Sequence, residues 1–197
     1  MTLLLLGLFL FLGTHSVRIF ANDWANAQTK KRGPSFWKIS YTLVSLIGFF
    51  LIIKGYAHAQ ESRVLVWSPP FWAGHLTGLL TLLSFILLAS SKRPKNLIYA
   101  SLKHPMIIAV KIWALAHLLA NGTLAAMVLF GSFLVWAILD FRSSRQRDAL
   151  QGNEDLDYVT TANWQGTFPA ICIGVLTWGF FAFYLHRVLI GVQPFMR

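Results

Sequence analysis

The sequence predicts an all-α integral membrane protein: one transmembrane domain over residues 1–197, a bundle of six membrane-spanning helices with a tight hairpin between the fourth and fifth. Three observations predict it. Of 197 residues, 56% are hydrophobic, 15% aromatic and only 12% charged, whereas a soluble domain carries about 25% charged residues to cover its surface. The apolar residues are gathered into blocks: Met1–Phe20 holds one charge, Arg18, and Phe71–Ala89 holds none. The net charge of +10 sits in short runs between blocks, such as Lys30-Lys31-Arg32 and Lys92-Arg93-Pro94-Lys95, where basic residues orient a membrane chain. Together these exclude a soluble enzyme, a disordered tail and a nucleic-acid binder.

A spanning helix needs roughly 17–25 predominantly apolar residues. Four blocks have that length: Leu3–Phe20, Ile39–Ala57, Phe71–Ala89 and Phe168–His186. A fifth, Pro105–Asp140, is too long for one crossing: at about 1.5 Å per residue it would reach ~54 Å across a hydrocarbon core of ~30 Å. Asn121-Gly122 near its middle supplies turn chemistry, since both residues tolerate the left-handed conformation. The block therefore divides into Pro105–Ala120 and Thr123–Asp140. No run alternates with the period of two that a membrane β-barrel requires. The remaining long connection, Phe141–Thr167, starts basic and then carries Glu154, Asp155 and Asp157; it reads as a loop with a short surface helix. Gly74 and Gly78 have the GxxxG spacing of close helix contact.

Orientation follows from Lys and Arg. The first, third and fifth connections carry twelve, the second, fourth and C-terminal segments four, and Lys111 lies within a helix. The basic connections belong in the cytoplasm, which puts both termini on the periplasmic side of a bacterial inner membrane. Ala25-Asn26-Ala27 has small residues like a signal-peptidase site, but no Lys or Arg precedes the apolar run and Arg18 follows it, so the first block is expected to be retained. A single cysteine, Cys172, excludes an internal disulfide and a CxxC site.

Polar side chains at membrane depth are costly and call for a reason. They are His15, His75, Lys111, His117 and Asn121, with His58, His104 and His186 nearer the interfaces. Histidines in such helices serve as helix contacts or as ligands, and two neutral imidazoles facing each other across a gap suit a b-type haem. His15 shares a helix face with Leu4, Leu8, Phe11 and Ile19, and His117 shares one with Met106, Val110, Trp113 and Asn121. Depth along the helices favours a His75–His117 pair, while a tilted ring admits His15–His117. Lys111 and Arg18 are candidate partners for a haem propionate, with Asp140 an alternative partner for Lys111.

His104-Pro105-Met106, Lys111, Trp113, His117-Leu118-Leu119-Ala120-Asn121-Gly122 and Leu129-Phe130-Gly131-Ser132-Phe133 together resemble the signature of the NnrU family. Gly13-Thr14-His15-Ser16, Gly55-Tyr56-Ala57 and Trp67-Ser68-Pro69-Pro70 fit the same pattern. The resemblance implies a link to denitrification and nitric-oxide metabolism. It also implies kinship with the plant-type 15-cis-zeta-carotene isomerase, which uses haem b held by two histidines. By that resemblance the haem ligands are His15 and His117; His75 is the runner-up on geometry, and the residue pattern adds Arg18, Lys111, Trp113 and Asn121 to the candidate cofactor site. The isomerase has a cysteine three residues before the second ligand, where this chain has Ala114, so a thiol-based ligand exchange has no donor here. The functions in view are a haem-dependent isomerase acting on an apolar polyene from the bilayer, a haem protein binding nitric oxide or assisting denitrification enzymes, and a haem-free structural or accessory membrane protein.

Overall fold

The structure, a computed structural model, describes residues 1–91, 95–151 and 161–195. Among them are eight helices: α1 (Thr2–Phe20), α2 (Asn22–Arg32), α3 (Pro34–Glu61), α4 (Ala73–Ser90), α5 (Leu97–Leu102), α6 (Pro105–Ala120), α7 (Leu124–Gln151) and α8 (Trp164–Ile190). Five are long and apolar enough to cross a membrane, and α6 is a shorter apolar helix. Lys92, Arg93, Pro94 and Arg197 lie outside the described residues, as do Glu154, Asp155, Asp157 and the surface helix expected near them.

Three boundaries differ from expectation. The first connection contains a helix of its own, α2, with Asp23 in its first turn and Lys30, Lys31 and Arg32 in its last, charges that oppose the helix dipole at both ends. It stops at Gly33, whose φ of 86° only glycine adopts readily, and Pro34 opens α3 at once. The fifth spanning helix does not end at Asp140. α7 continues to Gln151 because nothing between Phe141 and Gln151 breaks a helix, and residues expected to begin a loop are helical instead. His104 Nε2 lies 2.8 Å from Asp148 Oδ2, pinning this extension to the start of α6.

α6 spans the expected residues and turns at Asn121. Gly122 is not in the left-handed conformation, contrary to expectation: among the described residues only Gly33 and Gly191 are glycines with positive φ. It is needed for space. Val66 N–H and Trp67 N–H both donate to Gly122 O, at 2.8 and 3.2 Å, and Leu124 N–H donates to Val64 O at 2.9 Å. The Trp67 carbonyl therefore lies where a Cβ on residue 122 would project. The α3–α4 connection thus covers the α6–α7 turn. At the other end, Asn163 N–H donates to Lys95 O at 2.9 Å, Leu97 N–H donates to Thr167 Oγ1 at 2.9 Å, and the buried Asn96 amide donates to Ser90 O at 2.9 Å.

Neighbour to neighbour the five long apolar helices and α6 run α3–α1–α7–α6–α4–α8, an open arc. The α1–α3 seam is the tightest. Gly7 meets Ile52 N at 2.6 Å and Gly48 meets Phe11 N at 2.7 Å, distances measured from the position a Cβ would take, and Gly55 abuts Leu4. Small residues let backbones approach this closely. The expected GxxxG pair does not serve this purpose: Gly74 has open space, and Gly78 faces the Phe195 ring. Outward-facing residues such as Phe9, Leu79 and Leu176 are 74%, 64% and 72% exposed, as apolar side chains in lipid are.

α4 and α6 are stitched by two hydroxyls seven residues apart. Thr77 Oγ1 donates to Ala116 O at 2.8 Å and Ser84 Oγ donates to Ala109 O at 2.7 Å. Ala109 and Ala116 are fully buried, so the carbonyls stand open to the neighbouring helix. Ser84→Ala is expected to cost about 0.6 kcal/mol, the average for interhelical hydrogen bonds in a membrane. Thermal unfolding in detergent should show a shift of about 1–2 °C, and an unchanged midpoint would mean the bond contributes nothing.

Candidate functional site

His15 and His117 approach α7 from α1 and α6, against Trp136 and Phe130, positions about 120° apart around that helix. His15 packs at 5.9 Å edge-on to Trp136, at 5.1 Å from Tyr41 and stacked at 4.2 Å on Phe11. His117 stacks on Phe130 at 4.6 Å and lies 5.1 Å from Trp113. Phe130 and Trp136 are six residues apart on α7, so the imidazoles are offset by about 9 Å along that helix. Between them lies an aromatic layer: Phe133 is 5.7 Å from Phe11 and 5.4 Å from Trp113. The stripe Leu4, Leu8, Phe11, His15 faces this core, with Leu4 and Leu8 buried in the cluster that also holds Ile52, Ala114, Leu129 and Phe130.

The two imidazoles are held alike. His15 Nδ1 lies 2.7 Å from Phe11 O, and His117 Nδ1 lies 2.8 Å from Trp113 O, each the carbonyl four residues back. A carbonyl can only accept, so Nδ1 carries the proton and Nε2 keeps its lone pair. This is the tautomer that binds a metal, fixed by the backbone as metal-ligating histidines commonly are.

The other expected site residues divide. Trp113 belongs to the site through its contacts with His117, Phe130 and Phe133. Asn121 acts on the backbone: its amide donates to His117 O at 2.8 Å and caps α6. Arg18 is exposed, and its carbonyl accepts from Arg147 at 3.4 Å. The Lys111 ammonium lies 3.6 Å from the centre of the Phe141 ring, a cation–π contact in place of the Asp140 pairing. Asp140 instead lies within electrostatic reach of His15 and Tyr41. His75 is exposed on α4, with a ring contact to Phe71 at 5.9 Å and, among the described residues, no ring contact to His15 or His117.

Tyr41 and Trp136 were not singled out from the sequence, and Phe130 and Phe133 were noted only as part of the Leu129–Phe133 motif, although Phe130, Phe133 and Trp136 recur at three-residue spacing on one helix. His186 follows a π-helical turn at Phe181–Leu185, a local widening common at functional sites. It lies within electrostatic reach of His117, and its Nδ1 is 2.7 Å from Val192 O.

Among the described residues, no group of three or more His, Cys, Asp and Glu is placed to hold a metal ion. A haem needs only two donors. Two buried side-chain polar atoms lack a hydrogen-bond partner among the described residues, Ser45 Oγ and Trp136 Nε1. Trp136 borders His15, and Ser45 stands one turn from Tyr41 on α3. Polar capacity is therefore unfilled around His15. In donor type and tautomer His15 and His117 suit haem ligation, but an aromatic layer fills the space between them. Phe11, Phe133 and Trp113 must part for one porphyrin to reach both imidazoles.

Residues 3–194 match the family described as NnrU protein. The chain belongs to the NnrU family. No curated protein and no solved structure matches it. The match extends through α8, beyond the 140 residues that carry the sequence motifs, so the whole arc of helices is the family's unit.

Proposed function

We propose that this NnrU family membrane protein carries haem b between His15 and His117 and serves nitric-oxide metabolism in a bacterial inner membrane. The observation that carries the reading is the matched pair of Nδ1-to-carbonyl bonds, which leaves an Nε2 lone pair on each of the two helices that flank α7. When bound, haem b would supply a redox-active iron. His15 and His117 bind and orient it, and Phe130 and Trp113 restrict rotation of the His117 ring. Trp136 N–H and Ser45 O–H are donors for a propionate, with Arg18 at the basic rim and Lys111 kept on Phe141.

The isomerase reading keeps both ligands but has no thiol to exchange. Ala114 is fully buried in the core, and Cys172 lies on α8, which packs on α4 rather than on α1, α6 or α7. A haem protein that senses nitric oxide or assists denitrification enzymes is therefore favoured over a polyene isomerase.

Detergent-purified protein should show a Soret band and, after dithionite, sharp α and β bands of low-spin haem b. A colourless preparation that takes up no added haem would overturn the proposal. Orientation has its own test. A reporter fused after Arg147 should read cytoplasmic and one within Glu61–Leu65 periplasmic, as the excess of basic residues at the Arg147 end requires. The reverse pattern would invert the topology.

A further inference from the structure

A groove of about 540 Å³ runs between α1 and α7 and is lined by Leu8, Leu12, Gly13, Val128, Gly131 and Val135, with Trp136 as its inner wall. Its lining extends from Leu8 to Ser16 on α1 and from Met127 to Leu139 on α7, about 12 and 18 Å of helix. Both helices are membrane spans, and Phe9 and Val135 at the groove are 74% and 58% exposed, so it opens sideways into the bilayer. Gly13 and Gly131 give it its depth. A Cβ at either would meet nothing within 4 Å, in contrast to Gly7, Gly48, Gly55 and Gly122, against which another backbone is pressed. Glycine inside a helix is destabilising, and at these two positions the compensation is not a helix contact.

The charge at the groove's end identifies the occupant. Arg142 stands one turn beyond Leu139 and seven residues beyond Val135, on the groove face of α7, and is exposed. The nearby carboxylate, Asp140, lies within electrostatic reach of Arg147, His104 and His15. Arg18 and Arg147 stand at the same end, Arg147 donating to Arg18 O at 3.4 Å, and an apolar trough that ends among cations complements a molecule with a long hydrocarbon chain and an anionic head. We propose that the α1–α7 groove binds one anionic phospholipid, its acyl chain lying over Gly13 and Gly131 and its phosphate on Arg142.

This inference is independent of haem and is tested without it. The full-length protein is titrated in detergent with phosphatidylglycerol or phosphatidylcholine of the same acyl chains, and the first lipid bound is followed by native mass spectrometry. Phosphatidylglycerol should bind about fivefold more tightly, the effect of one basic residue near a membrane surface. Arg142→Gln should erase that preference. Gly131→Leu, which fills open space, should weaken both lipids about tenfold, the equivalent of two displaced methylenes, and Gly131→Ala should weaken them less. The melting curves of the variants confirm that they are folded. Equal binding of the two lipids by the wild-type protein would overturn the proposal and point to a neutral hydrocarbon occupant. Unchanged binding in folded Gly131→Leu would overturn it by showing that lipid binds elsewhere.

Discussion

Replacing His117 with alanine is expected to abolish the sharp reduced bands of low-spin haem and to lower haem affinity by about tenfold or more. Loss even of a group that merely orients a ligand commonly costs 10–100-fold, and here the ligand itself is removed. The methyl group cannot coordinate iron, and Trp113 O loses the N–H that now donates to it. His15→Ala should do the same from the other side. His75→Ala should leave the low-spin bands in place, because His75 is exposed on α4 and touches neither imidazole's aromatic surroundings. Absorption spectra and haem titrations of the three purified variants decide the matter. High-spin haem in His75→Ala together with low-spin haem in His15→Ala would move the second ligand to α4.

Gly122→Val should be the most damaging single change to the fold. The obstacle is backbone: the Trp67 carbonyl occupies the place of the new Cβ, and the 2.8 and 3.2 Å bonds from Val66 and Trp67 to Gly122 O hold it there. Overpacking against a side chain costs about 1–3 kcal/mol, and a backbone whose own N–H groups are tied to Gly122 O yields less easily than a side chain. The variant should therefore lose several degrees of thermal stability in detergent, or fail to accumulate as folded protein. Gly179→Val, on a glycine with open space around it, is the control. Equal stability of the two would mean that the α3–α4 connection moves aside without cost.

The α6–α7 hairpin was legible because its punctuation is local: Pro105 starts one helix and Asn121-Gly122 ends it. The end of α7 was not. Asp140 and Arg142 mark where apolar sequence stops, but a helix ends only where backbone hydrogen bonds find another partner, and the His104–Asp148 contact that extends α7 is 44 residues long-range. The helix contacts were misplaced for a related reason. Gly74 and Gly78 carry a recognisable spacing within one helix, whereas Gly7, Gly48 and Gly55 work across an antiparallel pair, where no local pattern announces them. The site shows the same division. His15 and His117 were visible as costly polar residues on apolar stripes. Tyr41 and Trp136 were not, because an aromatic side chain in a membrane helix has no cost that singles it out.

The order of packing has a consequence for how the protein is made. α1 leaves the ribosome first, yet it lies between α3 and α7, and the residues around His15 are not all present until Trp136 has been synthesised. A nascent chain halted after α6 has both histidines but lacks Phe130, Phe133 and Trp136. During translation α1 can dock on α3 early through its glycines, holding a vacant flank toward the lipid. The α7 segment, arriving last of the four helices that build the core, completes the enclosure, so cofactor loading belongs after its insertion rather than during the emergence of either histidine.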